Sequence, residues 1–217
     1  MPNHCDNRLT VTGDPATLKK FVEFARPDED CQDGKDQPLD YNKLCPMPPD
    51  PYQQIVEGES CSLHAISVHM GEGTPLQRLQ DENVDESETA RLKQGAWWYW
   101  RIEHWGTKWN CYDGYGDTAD LEAGKVVYNF QSAWSPPTGV IRAAAERFDT
   151  LKFVLEYAEP GCSFSGVMEA IGDVCDDECF DDVLATAYGQ ELYQESFDEM
   201  AEEEERERQE QESESNA

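Results

Sequence analysis

Basic residues are scarce in this chain: 17 Lys and Arg stand against 46 Asp and Glu over 217 residues, a formal net charge of −29. Nucleic-acid binders draw most of their affinity from Lys and Arg that neutralise phosphates. A chain with the opposite balance repels phosphate backbones and anionic lipid, so direct binding to DNA, RNA or a membrane surface is not expected. Long apolar runs are missing too; nothing approaches the ~20 residues of a membrane span. The start, Met1-Pro2-Asn3-His4-Cys5-Asp6, lacks the basic-then-apolar pattern of a secretory signal. The expectation is a cytoplasmic protein.

Signatures of chemistry are equally thin. The eight cysteines, at 5, 31, 45, 61, 111, 162, 175 and 179, are irregularly spaced, and a cytoplasmic setting keeps thiols reduced. A zinc site needs four ligands, usually in close pairs. Cys175 and Cys179 form one such pair with no second pair downstream, while His64, His69, His104 and Cys111 could complete a site only through the fold. Asp113, Asp117 and Asp120 do not have the alternate-position spacing and central glycine of a calcium loop. No metal and no cofactor is expected. No catalytic triad or phosphate loop occurs. His104, Lys108, Cys111 and Asp113 lie close enough in sequence to be an enzyme's polar set, but Lys108 between Trp105 and Trp109 suits cation–π packing better than catalysis. A non-enzyme is expected.

What the chain has is acid, and not only at its end. Residues 191–217 hold twelve acids and two bases, which leaves −19 on residues 1–190. Further clusters fall at 28–36, 81–88 and 173–182. High charge can serve solubility alone. Acid distributed through the folded part also makes a negative molecular surface, which steers basic partners.

The periodicities give a fold. Cys5, Asn7, Leu9 and Val11 alternate with Asp6, Arg8 and Thr10, a first strand. Asp14 then Pro15 suits a helix N-cap and first position, and Leu18, Phe21, Val22 and Ala25 form a helical stripe ending near Pro27. Residues 27–96 are irregular and read as an insertion. Residues 90–103 look helical, and Thr107–Tyr112 reads as a second strand. Val126–Ser132 alternates as a third strand. Pro136 and Pro137 break it before a helix with Ile141, Ala144, Ala145 and Phe148 on one stripe, and Leu151–Tyr157 is a fourth strand. This is the βαββαβ order of a ferredoxin-like α+β domain, an antiparallel sheet with two helices on one face. The domain is placed at 1–166, with an acidic helical extension at 167–200 and a disordered tail at 201–217. All six tryptophans lie between 97 and 134; they are read as core rings in preference to a stacking platform, Trp109 among them.

Three motifs then resemble the YubB ferredoxin-like domain family of phage and plasmid proteins. They are Asn3, Cys5 and Asn7 at the start of the chain; Trp105-Gly106-Thr107-Lys108-Trp109 after His104; and Trp134-Ser135-Pro136-Pro137. The resemblance covers about residues 1–166 and leaves the acidic part after 166 outside it. It implies a ferredoxin-like fold and a mobile-element origin, with no activity to carry over. No iron–sulfur cysteine spacing accompanies the name.

Acidity and a mobile-element origin together suggest a DNA mimic: a binding protein whose carboxylates stand in for phosphates in the groove of a basic host nuclease or other nucleic-acid-handling protein. The candidate contact set is Asp173, Asp176, Asp177, Glu178, Asp181 and Asp182, taken as one face of a helix. The alternatives are an accessory module with an unknown partner, or an enzyme using the His104–Asp113 region.

Overall fold

The structure is a computed structural model that describes residues 3–28, 37–53 and 86–215. Strand β1 (His4–Thr12) buries Cys5, Asn7, Leu9 and Val11, as the alternation predicts. Asp14 caps helix α1 (Pro15–Ala25) by accepting from the amides of Ala16 at 3.0 Å and Thr17 at 3.2 Å. Leu18, Phe21 and Ala25 face the sheet and are fully buried. The described part of the insertion contributes to the core. A short helix, α2 (Tyr41–Leu44), is capped by Asp40, and Leu39, Tyr41 and Leu44 are buried among the core residues. Helix α3 (Glu86–Trp105) extends the predicted 90–103 segment at both ends.

The second strand is not where the alternation put it. Residues 107–111 form no strand, and Tyr112 makes only an isolated bridge to Gln131. The side chains explain this, because they bond to the backbone of other elements. Thr107 donates to the Ala133 carbonyl at 2.8 Å, Asn110 accepts from the Tyr41 amide at 2.9 Å, and the Cys111 thiol donates to the Leu39 carbonyl at 2.9 Å. The second strand is instead β2 (Thr118–Asp120), antiparallel to β3 (Lys125–Ala133). Helix α4 (Thr138–Arg147) and strand β4 (Lys152–Glu159) follow as predicted.

The larger correction lies beyond residue 163. The sequence predicts helix from 167, after a turn or short extra strand at 161–166, but the chain forms strands β5 (Phe164–Ile171) and β6 (Val174–Phe180), joined by the two-residue loop Gly172-Asp173. Gly172 sits at φ +57, the first loop position where type II′ hairpins place glycine. Gly166, Met168 and Ala170 are buried, and this alternation along β5 outweighs the helical spacing of the acids. The result is a six-stranded, wholly antiparallel sheet in the order β2-β3-β1-β4-β5-β6. The tract predicted to be disordered from 201 also differs. Helix α5 (Ala187–Ser215) runs through it up to Ser215, in keeping with a composition dominated by Glu, Gln and Arg, good helix formers.

Helices α1 to α4 contribute to one core on one face of the sheet. The start of α5 covers the opposite face through a smaller cluster of Ala158, Val183 and Tyr188, with Leu184, Leu192, Tyr193 and Phe197 packed against it. The tryptophans divide. Trp100 and Trp105 are buried in the first core, whereas Trp109 is 37% and Trp134 46% exposed, so the core assignment fails for those two.

Candidate functional site: a motif junction and an acidic sheet face

The three sequence motifs meet at one end of the sheet. The fully buried Asn7 amide donates to the Cys5 carbonyl at 2.8 Å and to the Ser132 hydroxyl at 2.9 Å. Ser132 donates onward to the Ser135 carbonyl at 2.8 Å, and the Ser135 hydroxyl donates to the Gly106 carbonyl at 2.5 Å. The Trp134 amide bonds the Asn3 carbonyl at 3.0 Å. The Trp105 ring nitrogen donates to the Cys45 carbonyl at 2.8 Å. Gly106 is needed at its position: its φ is +84, and a β-carbon there would lie 2.8 Å from the Pro136 carbonyl. These bonds join the end of α3, the end of β3 and the start of β1. Asn7, Ser135 and Gly106 thus tie backbone groups together in a tight junction, while the buried Asn7 Oδ1 has no hydrogen-bond partner among the described residues.

The polar set considered for catalysis is engaged elsewhere. His104 stacks on Trp100 with centroids 4.1 Å apart, and its Nδ1 lies 2.9 Å from the Trp100 carbonyl. The Lys108 ammonium sits 5.0 Å above the Trp109 ring, as the sequence suggests. Burial pushes the Cys111 thiol up to about 12, so it is not a resting thiolate at neutral pH. Asp113 occupies a left-handed turn position at φ +49. Of the cysteine and histidine pairs weighed for metal, Cys175 and Cys179 lie on one face of β6, and His64 and His69 fall outside the described residues.

The predicted acidic set is brought together on the β5–β6 hairpin, but as a strand and not a helix, so 173, 177 and 181 do not share a stripe. Asp176 and Glu178 point to the face of the sheet that α5 partly covers. Asp177 points the other way and accepts a 2.9 Å hydrogen bond from the Tyr157 hydroxyl; burial, then Asp177, push that phenol well above its usual value. Asp182 turns back to accept from the Leu184 amide at 2.9 Å, a structural role. Asp173 in the hairpin loop and Asp181 after the strand are exposed.

Two carboxylates missed in the sequence reading complete the face. The register sets Arg8 beside Glu156 and Val154 beside Glu169, and it sets Glu169 directly opposite Asp176. Glu156, Glu169, Asp176 and Glu178 therefore share one side of strands β4 to β6. The alternation Val154, Glu156 along β4 held the signal for the first of them. Two cations temper the field: Lys152 bridges Glu169 at 2.7 Å, and Arg8 is held by both carboxylate oxygens of Glu191 on α5. That pairing raises the Arg8 pKa and lowers that of Glu191. Arg8 also lies 4.6 Å over the Tyr188 ring, and the Tyr193 hydroxyl donates to Asp6. These contacts set α5 across the sheet.

Open sheets that read RNA present stacking aromatics on their exposed face. Here the corresponding side of β4 to β6 carries acids. Among the described residues, no group of three or more His, Cys, Asp or Glu side chains is arranged to hold a metal ion, and no helix is long and apolar enough to cross a membrane.

Comparison with known proteins adds a family. A crystal structure of protein api92 from Yersinia pseudotuberculosis is similar at 10% identity and a TM-score of 0.44, covering 83% of this chain and 98% of that one. No curated protein matches the chain. The family model described as the ferredoxin-like domain in Api92-like protein matches residues 104–216, just over half the chain, and takes in the acidic region after 166 that the sequence motifs left outside. The chain belongs to this family of Api92-like ferredoxin-like domains.

Proposed function

We propose that the chain is a non-enzymatic binding protein whose negative surface occupies the nucleic-acid groove of a basic protein. The observation that carries this reading is the shared face of Glu156, Glu169, Asp176 and Glu178 on adjacent strands. Neighbouring strands lie about 4.8 Å apart and alternate residues about 6.8 Å apart, so the carboxylates form a two-dimensional array on a rigid sheet. A groove lined with Lys and Arg that binds phosphates would pair with such an array through charge-assisted hydrogen bonds. Helix α5 extends the negative surface with Glu195, Asp198, Glu199, Glu202, Glu203 and Glu207. The finer reading, a phage or plasmid protein that disables a nuclease or defence component in the bacterial cytoplasm, rests on the YubB resemblance.

The test is retention and competition. The full chain is immobilised, a bacterial lysate is passed over it, and bound protein is challenged with duplex DNA or with polyglutamate of equal total charge. Release of a nucleic-acid-handling protein by DNA at concentrations where polyglutamate has no effect supports mimicry. Equal release by both reduces the surface to a general polyanion and sinks the reading.

A further inference from the structure

We propose that the edge of β6, free among the described residues, accepts an extended, basic segment of the partner protein as a seventh strand. The inference rests on the basic-partner reading above and specifies how contact is made. Strand β6 ends the sheet order, and β5 is its strand neighbour. The two-residue loop fixes which backbone groups are free. Residues flanking such a loop, Ile171 and Val174, form a hydrogen-bonded pair, and these pairs alternate along the ladder. The pairs 169/176, 167/178 and 165/180 therefore also exchange bonds. The amides and carbonyls of Cys175, Asp177 and Cys179 point the other way, toward the open edge.

Edges of this kind are usually blunted by Pro, by charged side chains, Lys above all, by a bulge or by being very short, and the acids of β6 blunt it against neutral or acidic strands only. Strand β6 is seven residues long, pairs with β5 in unbroken register and contains neither Pro nor Lys. Its ends are apolar and exposed, Val174 at 64% and Phe180 at 41%, and its middle is Asp176-Asp177-Glu178. The edge is thus patterned apolar–acid–apolar. Charge selects the occupant. A second copy pairing antiparallel through the same edge, centred on Asp177, would set Asp177 against itself and Asp176 against Glu178, and like charges directly opposite one another oppose pairing. A strand with Lys or Arg at its centre and apolar residues at its ends matches every position. Strand addition draws affinity from main-chain bonds and specificity from alternate side chains.

The probe is the peptide Val-Thr-Lys-Lys-Lys-Thr-Val, which in antiparallel register sets its three lysines opposite Glu178, Asp177 and Asp176. Two N-methylated versions keep its charge and sequence. One is methylated at its second, fourth and sixth residues, whose amides would face β6. The other is methylated at its third and fifth, whose amides would face away. With the full chain, the parent and the second version are expected to bind. Both should slow amide exchange at Cys175, Asp177 and Cys179, and the first version should bind at least tenfold more weakly. Equal binding of all three, without protection at β6, overturns the edge proposal and leaves an electrostatic basic partner in place. Failure of all three, alongside retained DNA-competed capture in the lysate assay, likewise overturns the edge alone. Failure in both assays overturns the edge and the basic-partner reading together.

Discussion

Removing the C-terminal helix at two different points separates its packed start from its free remainder. An acidic extension after 166 would be dispensable if it were only a solvated tail, but the start of α5 is packed. Leu192, Tyr193 and Phe197 pack against the cluster of Ala158, Val183 and Tyr188, while Asp198, Glu199 and Met200 are exposed. A chain ending at 190 loses three half-buried side chains. Full burial of such a residue is worth ~1.5–3 kcal/mol, so half burial of three gives roughly 3 kcal/mol. The Tyr193 bond to the Asp6 carboxylate adds about 1.5 kcal/mol. The Arg8–Glu191 pair, with side chains 27% and 56% exposed, adds under about 1 kcal/mol. The total is near 4–5 kcal/mol, and at roughly 2–4 °C per kcal/mol for a domain of this size Tm should fall by about 8–20 °C. A chain ending at 200 loses described side chains that are all exposed, at 201–203, 206–209 and 211, and should stay within about 0.5 kcal/mol of the full protein. Thermal unfolding followed by near-ultraviolet dichroism of the tryptophans reads both. Equal melting of the 1–190 and 1–200 chains would show that α5 does not dock on the sheet.

Three further outcomes are expected. Trp105→Ala should cost ~3–5 kcal/mol in denaturant unfolding because it empties a fully buried site, whereas Trp109→Ala should cost less than about 1 kcal/mol; the reverse order would undo the assignment of the two rings. Stability should fall in alkali. Burial pushes the Cys45 thiol up to about 11 and the Cys111 thiol and Tyr112 phenol up to about 12. The unfolded chain therefore loses these protons first and holds fewer than the native state, so the contribution is complete below about pH 8.5 and declines as pH rises toward 11–12; a urea midpoint unchanged between pH 7 and 10 would contradict it. Asp176→Lys should raise stability by about 0.2–1 kcal/mol by setting a cation opposite Glu169 while weakening capture of the basic partner, a separation read by the urea midpoint and the lysate assay on one variant.

The ferredoxin-like core was legible because each of its elements has a one-sided burial pattern. Strands β1, β3 and β4 alternate, α1 carries an Asp-Pro start, and α4 follows two prolines. Three places misled for three different reasons. In 107–112, polar and apolar residues alternate as in a strand, but Thr107, Asn110 and Cys111 spend their hydrogen bonds on Ala133, Tyr41 and Leu39, partners 26 to 72 positions away that no local pattern announces. In 164–180, acids three and four apart resemble a helix face, while the deciding signals were the buried Met168 and Ala170 and the hairpin glycine at 172. Beyond 201, low hydrophobicity reads as disorder although helix propensity is high throughout. The acidic residues were found by composition alone. Their arrangement was not, because Glu156 and Glu169 reach Asp176 and Glu178 only through the cross-strand register.

That register also weighs against solubility as the whole account of the charge. Asp198, Glu199, Glu202, Glu203 and Glu207 on α5 beyond Phe197 are exposed, where added charge aids solubility at little structural cost. Asp176 is different. It stands directly opposite Glu169 on the neighbouring strand, a placement that destabilises the hairpin by up to about 1 kcal/mol, and the Lys152 bridge to Glu169 offsets only part of it because both side chains are about half exposed. A sequence shaped for solubility alone gains nothing from paying this cost when α5 offers free positions. Lysine at 176 would protect the same edge, neutralise the same row and stabilise the hairpin. The presence of acid where a base would serve the fold better is what the proposed basic partner would account for.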